Sequence, residues 1–346
     1  MFTGKHVQEP LCKNLSLISV QDIHSILSAE FGPRYLEYRK QWDATMRLET
    51  IPEFPLSLEL ETQNYCNLRC NMCAFASKTI HPDVRENSPK RQLSMDLFYK
   101  MVDEGAEYGL PAMTYGAFSE PLLHPDIVTM ADYAFKKGVM DQRIGTNGML
   151  LTPELSRRLI EARLARLEVS VDAFTEPTYN KIRPGGNFQK VLRHIEAFLE
   201  LREKLGSRIP LLRISFVKLN VNLHELEPFM DYWKDYADYF SIQEPIDWGL
   251  GDDNSEVRFE QPHDKLEFRC DKQFQRLFIR HNGNIMSCGH IHFWTEQTLG
   301  NLATDSLKAL WDAPRQQALR ELHRRGGYLE KRECRLCVQR TAVKES

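Results

Sequence analysis

The stretch "PLSLELETQNYCNLRCNMCAF", residues 55–75, decides how this chain is read. Residues 55–62 alternate apolar and polar side chains with the two-residue period of a strand. They lead directly into Cys66, Cys70 and Cys73, three of eight cysteines, with gaps of three and then two residues. A structural zinc site closes with four thiolate or imidazole ligands, so zinc here would need a fourth from a distant residue. Three thiolates on one loop instead suit a [4Fe–4S] cubane in which one iron is left without a protein ligand.

Outward from that stretch, helix and strand patterns alternate. Ser94 stands as N-cap of a helix that carries Asp96 in its first turn and stops at Gly109. "AMTYGAF" (112–118) reads as a strand, and the segment between Pro125 and Gly138 as a helix. "QRIGTNG" (142–148) is the next strand, followed by a helix capped by Thr152. "RLEVSVDA" precedes a helix over 187–205, "LLRISFVKL" precedes one over 222–237, and "YFSIQEP" closes a series of six strands. Strands separated by helices require crossover connections, so the sheet is expected to be parallel, open or curled toward a barrel. Ligands gather at the C-terminal strand ends of such sheets, where the cysteine loop emerges.

Flanking segments differ. Residues 1–52 read as a mostly helical extension, with "FGPRYLEYRKQW" (31–42) as an amphipathic helix packed on the domain. Residues 249–265 are polar and glycine-bearing, like a linker. Beyond them, Asn282-Gly283 between two apolar runs signals a hairpin, and a helix is expected from Asp305 to Arg325. The division expected is an extension over 1–52, a core over 53–250 and a small C-terminal domain over 251–346.

A formal net charge of -3 and a pI near 6.4 provide no basic field for nucleic acid or anionic lipid, which leaves small solutes or peptides as expected partners. No apolar run reaches membrane-span length, and the first residues lack a signal-peptide core, so a cytoplasmic location is expected. Thiols stay reduced there, and clustered cysteines read as metal ligands rather than disulfides.

Cys66-x3-Cys70-x2-Cys73 on the loop after a first strand resembles the radical S-adenosylmethionine (radical SAM) superfamily. "SEPLLHPDI" (119–127) is similar to that family's Gly-Glu-Pro segment, with Ser119 in place of the glycine and Glu120 retained. "GTNGMLL" (145–151) and "VSVDA" (169–173) resemble further family segments and bring Asn147, Ser170 and Asp172 to the cofactor end. "YNKIRPGGNF" (179–188) is similar to a stretch whose arginine, here Arg183, approaches the methionine carboxylate of SAM. Met72 stands where the family often has an aromatic, and its thioether suits packing against adenine. The resemblance implies a partial (β/α)6 TIM-like barrel.

The remaining cysteines make a second pattern. Cys270, Cys288, Cys334 and Cys337 are separated by seventeen, forty-five and two residues. With "LGNLATDSLKALW" (299–311) they resemble the Twitch domain, the shortened form of the SPASM appendage of radical SAM enzymes. That implies a hairpin-plus-helix domain holding one auxiliary [4Fe–4S] cluster with four thiolates and no open iron. A four-cysteine zinc ribbon is the other reading of the spacing. His290 and His292 flank this cluster loop as candidate outer-shell groups.

The resemblance further implies that SAM, bound at the open iron and reduced by a donor such as flavodoxin or ferredoxin, yields a 5′-deoxyadenosyl radical that abstracts hydrogen from substrate. The C-terminal spacing is similar to that of 2-deoxy-scyllo-inosamine dehydrogenase-type enzymes. A hydroxylated small molecule, a sugar or cyclitol, is therefore the expected substrate, undergoing dehydrogenation, dehydration or epimerisation. Peptide maturation is the alternative, and a zinc-stabilised binding protein the non-enzymatic one. Cys12, outside both cysteine sets, is the candidate hydrogen donor if the reaction is an epimerisation.

Overall fold

Strand β3 (Ser57–Leu60) turns Leu58 and Leu60, both fully buried, toward a helical layer, and Glu59 toward the opposite face. The same alternation runs through β4 (Ala112–Tyr115), β5 (Asp141–Thr146), β6 (Arg166–Ser170), β7 (Leu211–Val217) and β8 (Tyr239–Gln243). A computed structural model of the chain describes residues 5–7, 15–73, 89–244, 270–289 and 298–341. Cys12, residues 249–265, His290 and His292 lie outside the described residues.

The six strands pair in chain order, every pair parallel. Between them run α3 (Met95–Glu107), α4 (Ile127–Lys136), α5 (Pro153–Glu161), α6 (Glu176–Ile182), α7 (Phe188–Lys204) and α8 (Leu226–Trp233). Ser94, Thr152 and Asn187 cap α3, α5 and α7, each accepting a bond from a backbone N–H three residues on. Helix α8 is shorter than the span of 222–237 expected from sequence. Pro228 has no N–H to bond back to residue 224, so the chain enters α8 through a short 3-10 turn, Leu223–Glu225. Because β3 and β8 do not pair with each other, the barrel is partial, and its two edges are open to other strands.

The N-terminal edge adds two strands ahead of the expected helices. Strand β2 (Leu15–Ser19) pairs antiparallel with β8, and β1 (Lys5–Val7) pairs with β2. Helices α1 (Ile23–Phe31) and α2 (Pro33–Met46) follow. Ile23, Leu27, Tyr35 and Tyr38 meet Leu56, Ala112, Met140, Ala165, Leu211 and Tyr239, residues at or just before the starts of the six strands. The two helices therefore seal the N-terminal mouth of the barrel. Beneath them Arg166 makes a bidentate pair with Asp141, Nε–Oδ1 2.6 Å and Nη2–Oδ2 3.0 Å, and donates to Tyr35 Oη at 3.0 Å.

At the other edge, β9 (Arg276–Ile279), preceded by the short α9 (Lys272–Gln275), pairs parallel with β3. β10 (Asn284–Met286) returns antiparallel and β11 (Gly300–Asn301) adds to it. Arg280 N–H bonds to Asn284 O and Gly283 N–H to Arg280 O, which closes a three-residue loop with Gly283 at φ +82°. The helix expected over 305–325 is two: α10 (Leu307–Trp311) and α11 (Pro314–Arg324). Pro314 lacks the N–H that would continue α10 and starts α11 at its first turn. Helix α12 (Arg332–Thr341) ends the described chain.

Burial works against the Asp141 charge, but Arg166 outweighs it and holds the carboxyl below its ordinary value of 3.8. A carboxyl lowered in the fold contributes stability that is complete above the unfolded value and lost as pH falls below it. Arg166→Met should therefore cost about 3–5 kcal/mol at neutral pH by urea unfolding, since it strands a buried carboxylate. The cost should shrink as the pH is taken below about 4.

Candidate metal-cluster and cofactor site

The cysteine loop leaves the C-terminal end of β3 through Glu61, Thr62 and Gln63, all fully buried. Cys70 is buried, and Cys66 and Cys73 are half-buried. The loop is tied to the segment after α6: Asn71 N–H bonds to Ile182 O at 3.0 Å, Asn71 Nδ2 to Lys181 O at 2.7 Å, and Arg69 N–H to Pro184 O at 3.3 Å. Met72 packs with Ile182, Val217, Leu219 and Val221. Burial pushes the Cys66 thiol up to about 11 and the Cys70 thiol to about 12. Bare, these would be neutral thiols at pH 7. They become ligands when a metal supplies the charge that burial removes.

Arg183 brings that loop together with the end of β6. Its Nη1 lies 3.6 Å from Cys70 Sγ, its Nε donates to Asp172 Oδ2 at 3.0 Å, and its Nη2 bonds to the same oxygen. Both residues are buried. Asp172 sits at φ +61°, its Oδ1 accepts from Val217 N–H at 2.8 Å, and its carbonyl accepts from Asn222 Nδ2 at 2.8 Å.

Glu120 follows β4 and is almost fully buried. Its carboxylate accepts from Leu122 N–H (3.0 Å), Thr146 Oγ1 (2.7 Å) and Asn147 N–H (2.8 Å), while its carbonyl accepts from Gln63 Nε2. Burial raises its carboxyl despite those donors. The side chain is thus a brace between the ends of β4 and β5. Asn147 donates to Asn67 Oδ1 at 2.8 Å and has its Nδ2 3.9 Å from Cys66 Sγ. Ser170 Oγ accepts from Ser215 Oγ at 3.2 Å. The Ser119 hydroxyl is buried without a hydrogen-bond partner among the described residues.

The second cysteine set comes from three places: Cys270 before α9, Cys288 after β10, and Cys334 and Cys337 one turn apart on α12. Burial, and then the nearby Cys288, raises both Cys270 and Cys334, the latter to about 12, and Cys337 adds to the effect on Cys270. Lys272 is the cation beside Cys270 and Cys288. Among the described residues, no three His, Cys, Asp or Glu side chains are grouped as a single metal ion would need. His323 Nε2 lies 3.6 Å from Cys334 Sγ, and burial holds this imidazole down at about 4.

Phe118, just before Ser119, reaches the second cysteine set. Its ring meets Phe278 edge-on at 5.5 Å and packs in one cluster with Cys288. A Cβ on Gly289 would meet Phe278 at 3.1 Å and Phe118 at 3.3 Å. Sequence reasoning missed Gln63, Asn67, Phe118 and His323. Only Asn67 and Phe118 carried any signal, as neighbours of motif residues.

Arg183→Met removes the counter-charge of a fully buried Asp172. It should cost about 3–5 kcal/mol in urea unfolding of the metal-free chain. An unchanged midpoint would mean that the pair does not hold the loop.

The family described as Radical SAM superfamily matches residues 60–231, and the family described as Iron-sulfur cluster-binding domain, SPASM, matches 270–338. A probable GTP 3′,8-cyclase of Methanococcus maripaludis is 26% identical over 224 residues, 65% of this chain and 70% of that protein. Further strains' cyclases are matched over 59% of their length. Among solved structures, Streptococcus suis SuiB bound to S-adenosylmethionine superposes with a TM-score of 0.61 at 15% identity, covering 84% of this chain and 73% of that one. BtrN in complex with AdoMet and 2-DOIA gives 0.52 at 14% identity, covering 82% and 93%. The first family brings a [4Fe–4S] cluster that binds SAM, and the second brings auxiliary iron–sulfur clusters. The chain belongs to the radical SAM superfamily and is a radical SAM enzyme with a C-terminal SPASM-type domain.

Proposed function

We propose that this enzyme dehydrogenates a hydroxylated small molecule, a sugar or cyclitol, inside the partial barrel. The observation that carries this reading is the polar inner face of the sheet. Opposite the helix-facing side chains stand Glu59, Thr114, Arg143, Glu168, Ser170, Ser215 and Ser241. Glu59 pairs with Arg276 at 2.6 Å and Glu168 with Arg213. Against the upward push of burial, Arg276 and Lys272 hold the Glu59 carboxyl at about 2. A lining of fixed donors and acceptors suits a substrate bearing hydroxyls and penalises an apolar one, which would leave those groups unpaired. The cyclase relatives bear names that specify GTP, itself a ribose-bearing small molecule.

The residues fit the cofactors. Cys66, Cys70 and Cys73 would hold the first cluster, and their buried thiols need the charge a cluster supplies. Cys270, Cys288, Cys334 and Cys337 would hold one auxiliary [4Fe–4S] cluster. When bound, the first cluster with SAM supplies a 5′-deoxyadenosyl radical, and the auxiliary cluster supplies a one-electron carrier. The chain's own residues position and shield. The Ser119 hydroxyl, without a partner among the described residues, would accept from the SAM amino group, and Glu120 would keep that turn in register with Asn147 and Ser170. Arg183, oriented by Asp172 beside Cys70, would offer its charge to the methionine carboxylate, and Met72 would pack against the adenine. α1 and α2 close the far mouth to water. A donor of the flavodoxin or ferredoxin kind would supply the electron. The chain would divide into an extension over 1–52, the radical core over 53–250 and the auxiliary domain over 251–346.

A second reading is modification of a ribosomal peptide. It is favoured by the likeness to SuiB, which has also been solved bound to precursor peptide SuiA, at a TM-score of 0.59 and 17% identity.

Anaerobic reconstitution should give about eight irons per chain, four per cluster. Cys66→Ala, Cys70→Ala and Cys73→Ala together should leave about four and abolish SAM cleavage. An iron content untouched by the triple substitution would sink the first-cluster assignment. Release of 5′-deoxyadenosine should be stimulated by a panel of aminocyclitols and sugars and not by peptides. The reverse pattern would replace the small-molecule reading with the peptide one.

A further inference from the structure

We propose that His323 donates its Nε2 proton to the Cys334 sulfur and so raises the reduction potential of the auxiliary cluster. The inference rests on the reading that Cys270, Cys288, Cys334 and Cys337 hold that cluster. His323 lies in the last turn of α11, with 4% of its surface exposed, and Cys334 lies in the first turn of α12. The short 3-10 segment Gly327–Glu330 joins the two helices and returns Tyr328 to stack on the imidazole, with centroids 6.2 Å apart and planes inclined by 19°. The ring is therefore backed by Tyr328 while its Nε2 faces sulfur at 3.6 Å.

Chemistry selects the tautomer. Nδ1 is buried without a hydrogen-bond partner, so a proton there would be a stranded donor. A metal-bound thiolate has no proton and only accepts. The imidazole proton therefore sits on Nε2, as an N–H···S bond. Hydrogen bonds to ligand sulfurs are among the groups that set cluster potentials. In a buried site the bond stabilises most the state in which sulfur carries more negative charge, which is the reduced one. Removing it must lower the potential.

The test uses the full chain carrying Cys66→Ala, Cys70→Ala and Cys73→Ala, in which the auxiliary cluster is alone. The chain is reconstituted anaerobically with iron and sulfide and titrated electrochemically while the reduced-cluster EPR signal is followed. His323→Phe keeps the ring against Tyr328 and loses the donor. It should shift the midpoint negative, with the reduced-to-oxidised ratio falling about tenfold at a fixed poise, equivalent to about 59 mV for a one-electron couple. His323→Gln restores an N–H and should return the midpoint close to the parent value. A midpoint unchanged in His323→Phe, or lowered equally in both variants, would overturn the proposal. Loss of the cluster in both would likewise reduce His323 to packing, whereas loss in Phe alone would support the donor bond. A parent that binds no iron fails at the earlier step, refuting the auxiliary-cluster reading and this proposal with it.

Discussion

The pairing of β9 on the free edge of β3 is the contact on which both candidate sites depend. Glu61 N–H bonds to Ile279 O at 2.8 Å, so the strand that launches the first cysteine loop is also the strand that seats the C-terminal hairpin. A partial barrel leaves β3 with unpaired backbone groups on one side, and an edge of that kind is a liability until it is covered. Covering it with a strand 219 residues further along the chain places Cys288 beside Phe118, one residue before Ser119. One sheet thus carries the strand that launches the first cysteine loop and the hairpin that leads to Cys288.

The opposite edge is treated in the same way, with a different purpose. β2 covers β8, and the helices that follow it close the barrel floor. This floor contains charge: Asp141 and Arg166 are paired under Tyr35, and Glu168 with Arg213 one layer above. Buried pairs of this kind contribute little net stability over apolar residues of the same shape, but each is costly to break. Their consequence here is positional. They hold the inner face polar and its side chains oriented, and they leave the outer face to apolar packing against the helices.

The same division of labour recurs around the first cysteine loop. Glu120 and Asp172 are carboxylates at the strand ends, where a cofactor would be met, yet their oxygens are bonded mainly to the protein itself. Each ties the end of one strand to its neighbour: Glu120 joins β4 to β5, and Asp172 joins β6 to β7. Groups fixed in this way present a rigid rim, and the Arg183 guanidinium faces the cysteine loop from that rim.

The local code was legible wherever period and punctuation are properties of the chain alone. Six strands, the caps Ser94 and Thr152, and the turn at Gly283 follow from alternation, side-chain capping and the φ freedom of glycine, which need no distant partner. The spacing of Cys66, Cys70 and Cys73 was likewise readable, because three ligands on one loop define a pattern without a fold. What tertiary structure alone decided depends on distant neighbours. Residues 15–19 become a strand because β8 offers an unpaired edge, and α1 and α2 become a floor because six strand starts converge beneath them. Asp172 and Arg183 become a buried pair only when the segment after α6 folds back over the cysteine loop. His323 meets Cys334 only because Pro314, the turn at Gly326 and the 3-10 segment bring α11 and α12 together. Propensity and spacing act over a few residues, whereas burial and charge pairing act between segments, and only the folded chain sets which segments meet.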